Sequence, residues 1–90
     1  SAFWNGGQNC SANMRQIIHS KIKDEFLDKV SKRIKNIKVG DPLSTDSNMG
    51  SMISKGHLAK VDGYIQKGIE EGAKMLLGGV SETNQKGFFA

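Results

Sequence analysis

Ninety residues, 37% hydrophobic and 24% charged, make one small globular unit or a piece of a larger one, and this balance excludes a disordered chain. At this length about 60 to 65% of the unfolded chain's surface is expected to be buried, so the core is thin. The net charge of +4 is spread as lysines between acids, with no basic block interleaved with aromatics, and no apolar run approaches the ~20 residues of a membrane span; neither nucleic acid nor a membrane is indicated as a partner.

The chain opens on a Gly-rich stretch that leads into its one cysteine. Cys10 follows Gly6 and Gly7, which allow a sharp backbone turn and close approach of a ligand, and it is flanked by Gln8, Asn9, Ser11 and Asn13. A free cysteine without context is most often a small, inert core residue. These small and polar neighbours suit a site better than a core. A thiol of ordinary pKa is only a few per cent thiolate at neutral pH, so a nucleophilic cysteine needs a helix terminus, a cation or a base beside it, and the sequence does not display one. A single cysteine also forms no internal disulfide, which fits a reducing compartment and makes the cytoplasm the expected location. His19 and His57 stand far apart with no cysteine or carboxylate at ligand spacing, so no metal site is expected.

Residues 14–19, "MRQIIH", form a short apolar and β-branched run that predicts a strand, with Ser20 as the N-cap of a following helix. From Ile22 the apolar residues recur at Phe26, Leu27, Val30, Ile34 and Ile37, the helical period, with acids near the start, Lys35 and Lys38 near the end, and Gly40 as the stop. "VGDPLSTDSNMGSM" holds the only proline and a concentration of turn-forming residues, which predicts a loop. Ser54 then caps a second helix with an apolar stripe at Leu58, Val61, Tyr64, Ile65 and Ile69, ending near Gly72. "KMLLGG" predicts a short apolar run closed by a turn, and "GFFA" the start of another strand for which no partner is evident. Gly78 and Gly79 lack the third spaced glycine and the flanking strand and helix of a phosphate-binding fingerprint. The alternation of elements predicts an α/β layer structure with an incomplete sheet: two amphipathic helices and short strands.

The string "FWNGGQNCSA" resembles the cysteine active-site signature of the aldehyde dehydrogenase superfamily: an aromatic, an Asn, Gly-Gln, one variable residue and the nucleophilic cysteine. The resemblance continues at the expected spacing through "DEFLDKV", "IKVGDPL", "MGSMIS", "GYIQKGIEEGAKMLLGG" and "GFFA", and so covers essentially the whole chain. Asn13 and Met14 depart from the usual small residue followed by Ser, and Ser51 and Met52 replace a common Pro-Leu. "GQNCSA" is nearest to subfamilies acting on amino aldehydes, including betaine-aldehyde and γ-glutamylaminobutyraldehyde dehydrogenases.

The resemblance implies that residues 1–90 are a fragment of the catalytic domain of an NAD(P)-dependent enzyme, with Cys10 near the end of a helix. It implies attack of the Cys10 thiolate on an aldehyde, a thiohemiacetal oxyanion held by the Cys10 backbone N–H and by an Asn from outside the chain, hydride transfer to NAD or NADP, and hydrolysis of a Cys10 thioester by a glutamate base also outside it. Gly7 and Gln8 are expected to support the geometry around the thiol. The remaining partners implied are the rest of the enzyme, an aldehyde substrate and copies of itself in a homodimer or homotetramer; the fragment alone is expected to be inactive. A different reading of the same pattern is a non-catalytic module whose two apolar helix stripes dock on a partner.

Overall fold

A computed structural model describes residues 2–79 and 87–89. Two helices dominate them. A 3-10 turn, Ser20–Ile22, leads into α1, Lys23–Ile34. The expected cap at Ser20 is displaced by one residue: His19 is extended, and its Nδ1 accepts the Lys21 N–H at 3.2 Å, so the imidazole does the work assigned to the hydroxyl. Asp24 and Glu25 lie in the first turn of α1 and Lys32 and Arg33 in the last, the order that complements the helix dipole. Two exposed pairs, Glu25 with Lys29 at 2.6 Å and Asp28 with Lys32 at 2.7 Å, add a few tenths of a kcal/mol each.

α1 stops three residues before Ile37, the last position of its apolar pattern. The cause lies further along the chain. The Lys38 N–H donates to Asn48 Oδ1 at 2.9 Å, the Lys38 carbonyl accepts the Asn48 N–H at 2.8 Å, and Val39 forms an isolated parallel bridge with Met49. Residues 38–40 are thereby drawn out of the helix into a pairing ten residues away. The Gly40 N–H completes the pairing on the Met49 carbonyl at 3.0 Å, and a Cβ at Gly40 would stand 2.8 Å from Ser47 Oγ, so a side chain there would require the Ser47 hydroxyl to move. Between the paired segments, Asp41 Oδ1 accepts the Leu43 N–H and the Asp41 carbonyl accepts that of Ser44, which turns the chain after Gly40.

α2 spans Lys55–Glu70 and keeps both expected termini. Ser54 Oγ accepts the His57 N–H at 3.1 Å. At the other end Gly72 has φ +93°, its N–H reaches the Ile69 carbonyl at 3.0 Å, and the Ala73 N–H reaches that of Gly68 at 2.9 Å, which together form a Schellman closure. Replacing Ser54→Ala in the full-length protein removes one cap bond and is expected to lower stability by about 1 kcal/mol. Chemical denaturation read by circular dichroism checks this.

The strands expected at residues 14–19 and 87–90 do not form among the described residues, and the apolar run at 74–79 is not a strand either. A strand is a property of two backbones, and residues 14–19 have no partner backbone here: Met14 is 82% exposed and Ile17 fully so. The last run is only partly described, Ala90 lying outside, but Phe88 does have a partner within the chain, its carbonyl accepting the Met52 N–H at 2.6 Å.

The helices carry half-buried stripes, Phe26, Leu27, Val30 and Ile34 on α1 and Leu58, Val61 and Ile65 on α2, yet they do not pack on one another. Met52 is the one buried hydrophobic residue among those described. The accessible surface is 7682 Å², against about 5,200 Å² for a compact protein of this mass and roughly 14,000 Å² for its unfolded chain. Burial therefore reaches only about 45%, below the 60 to 65% expected from length. No helix of the described residues is long and apolar enough to cross a membrane.

Candidate active site

The segment before Cys10 is bent by three consecutive left-handed residues: Asn5 at φ 52°, Gly6 at φ 64° and Gly7 at φ 75°. Glycine adopts this region without cost, and asparagine is among the side chains that tolerate it best. A 3-10 turn, Trp4–Gly7, results, closed by the Gly6 N–H on the Phe3 carbonyl and the Gln8 N–H on the Asn5 carbonyl.

Cys10 then occupies the second position of a turn rather than the end of a helix. The Ala12 N–H closes this turn on the Asn9 carbonyl at 3.0 Å. Asn9 Oδ1 gathers three donors from it: the Ser11 N–H at 3.2 Å, Ser11 Oγ at 3.1 Å and the Cys10 thiol at 3.7 Å. A turn drawn inward onto its own first side chain leaves the second residue on the outside, and Cys10 is exposed.

Gln8 connects this turn to the rest of the chain. Its Nε2 donates to the Asn5 carbonyl at 3.0 Å, and its Oε1 accepts the Ile53 N–H at 2.9 Å, across 45 residues of sequence. Beside that bond the Met52 side chain lies against Gly6, where an added Cβ would meet Met52 Sδ and Cε at 3.6 Å. Met52 and Ile53 belong to the site's support and escape sequence reasoning. No spacing rule links positions so far apart, and the only hint is that Ser51 and Met52 depart from the usual pattern.

His19 and Glu70 fall outside this cluster, whereas Asn5 belongs to it. His19 is committed to its cap, and Asn5 Nδ2 donates to the Gln8 carbonyl at 3.4 Å. Glu70 accepts from Gln66 Nε2 along the surface of α2. Among the described residues no group of His, Cys, Asp and Glu has the arrangement of a metal site. Gly78, at φ +85°, and Gly79 follow α2 with nothing within 4 Å of where a Cβ would stand.

The model of the aldehyde dehydrogenase family matches residues 1–90. The peroxisomal aminoaldehyde dehydrogenase 2 of Pisum sativum is 43% identical over 88 residues, 97% of this chain and 18% of the relative. The betaine aldehyde dehydrogenase of Hordeum vulgare is 44% identical over 88 residues, 97% of this chain and 17% of the relative. A crystal structure of a betaine aldehyde dehydrogenase variant from Staphylococcus aureus, in complex with NAD+ and with a BME-modified cysteine, superposes with a TM-score of 0.88 at 33% identity, covering 98% of this chain and 19% of that one. The chain thus spans about a fifth of the length of the proteins it matches.

Proposed function

The chain belongs to the aldehyde dehydrogenase family, and from that premise we propose that it is part of the catalytic domain of a longer α/β enzyme that oxidises an aldehyde to a carboxylic acid, with Cys10 as the nucleophile. The observation that carries this reading is the exposed Cys10 thiol on a turn held at its base by Gln8, within a sequence matched to the family along its whole length.

The Cys10 thiol first gives its proton to solvent water, and with it loses the contact to Asn9 Oδ1. The thiolate sulfur then forms a bond to the aldehyde carbon, and the carbonyl π pair moves to oxygen. The Cys10 backbone N–H is the donor this chain supplies to the resulting oxyanion; one such donor is typically worth about 3 to 4 kcal/mol in the transition state. Oxidation of the adduct requires a hydride acceptor, NAD or NADP in this reading. The described residues form no cradle for it, and this chain is assigned no step beyond the adduct. The general base is assigned to the rest of the enzyme, as the resemblance to the family implies.

The names of the plant relatives favour an amino aldehyde as substrate, betaine aldehyde among them. Assembly as a homodimer or homotetramer belongs to the same proposal. The cytoplasm is the location proposed, while the pea relative is named peroxisomal.

Alkylation of the full-length protein tests the assignment. Iodoacetamide is expected to label Cys10, with loss of aldehyde oxidation in proportion to labelling, and saturating betaine aldehyde is expected to slow the labelling several-fold. Full activity after complete modification of Cys10, established by peptide mass, is the opposing result.

A further inference from the structure

We propose that Gln8 is a positioning residue for the reaction, its one carboxamide tying the Cys10 turn to the Ile53 backbone and so setting where the thiol sits; this rests on the reading of Cys10 as nucleophile.

Three observations converge on Gln8. It stands two residues before Cys10 and next to Asn9, whose carboxamide holds the turn. Its two contacts use opposite ends of one rigid group, Nε2 on the Asn5 carbonyl at 3.0 Å and Oε1 on the Ile53 N–H at 2.9 Å. The tie also lands on a fixed point: Met52, next to Ile53, is buried at 8% exposure, bonds Phe88 through its N–H, and lies against Gly6. The left-handed run from Asn5 to Gly7 is thus clamped between Gln8 and the segment at 52–53. Glycines give that run its shape and, by the same freedom, little stiffness of their own.

The chemistry of the carboxamide makes the two ends unequal. The Asn5 carbonyl also accepts the Gln8 backbone N–H at 3.1 Å, so losing Nε2 leaves it paired. Losing Oε1 removes the partner of the Ile53 N–H and releases the side-chain hydrogen bond between the turn and that segment. Glutamate keeps an acceptor at the same reach. Methionine has the length of glutamine and offers the backbone neither a strong donor nor a strong acceptor.

The experiment compares Gln8→Met and Gln8→Glu with the unsubstituted full-length protein. Steady-state kinetics, the rate of Cys10 alkylation and amide exchange of the peptide containing Ile53 are measured together. For Gln8→Met, kcat is expected to fall by about 10- to 100-fold, the scale of an ångström-sized misplacement, with KM within about threefold. The alkylation rate is expected to change with it, and exchange to accelerate at Ile53 but not across the protein. Gln8→Glu is expected to restore protection at Ile53 and part of kcat. Unchanged Ile53 exchange in Gln8→Met sinks the tie, and unchanged kcat sinks its role in positioning. Loss of protection throughout the protein, with no rescue by glutamate, also overturns it, because Gln8 then acts through folding alone. If instead Cys10→Ser keeps its activity, the nucleophile assignment fails, while the Ile53 exchange still reports on the tie.

Discussion

Cys10→Ser in the full-length protein is expected to reduce aldehyde oxidation by on the order of 10³-fold or more while nicotinamide nucleotide still binds. The exchange of sulfur for oxygen changes little in shape, so the turn at Asn9–Ala12 is retained. The change is chemical. A few per cent of an ordinary thiol is ionised at neutral pH, whereas a serine hydroxyl is almost wholly protonated, and no base lies in the cluster described around Cys10 to make up the difference. The loss should fall on kcat, since the bond to the substrate carbon forms on the way to the transition state. Initial rates with betaine aldehyde, beside a nucleotide-binding titration as the control for folding, decide the matter. Turnover close to that of the unsubstituted protein removes Cys10 from the mechanism.

What could be read from the sequence divides along the reach of each interaction. The stripes of α1 and α2, the Ser54 cap and the Gly72 closure are set within one or two helical turns, and each is legible in the spacing of nearby residues. The C-terminus of α1 is not, because Asn48 and Met49 take up the backbone of residues 38–40 and override an apolar period that runs to Ile37. The strand at residues 14–19 fails for the same reason in reverse. Its composition is right, but no backbone among the described residues pairs with it. At the site, the Gly-Gly turn and the polar surroundings of Cys10 are local and legible, and resemblance alone supplies the chemistry. The clamp at Met52 and Ile53 is non-local and has no signature.

The isolated ninety-residue chain is expected to show no aldehyde oxidation and to associate or remain loosely packed, for one underlying reason. Its surface exceeds that of a compact protein of equal mass by roughly 2,500 Å², where each partner in a standard protein interface contributes about 800 Å². Much of what is exposed is large and apolar: Met14, Ile17, Leu43 and Ile53 are each more than four-fifths exposed. Such a surface drives a soluble chain to bury it against copies of itself, and the same surface would imitate the docking face of an interaction module. The two readings part on what rescues the chain. If these residues are one part of a catalytic domain, co-expression with the remaining segments of the enzyme should restore a soluble, active complex. Sedimentation of the isolated chain as a monodisperse monomer, with amide protection comparable to that of a folded domain, would contradict the expectation of loose packing. Activity of the chain alone would contradict the assignment of base and hydride acceptor to the rest of the enzyme. The thiol is accessible on its turn without those partners, so inactivity of an intact, alkylatable Cys10 would separate possession of the nucleophile from possession of the mechanism.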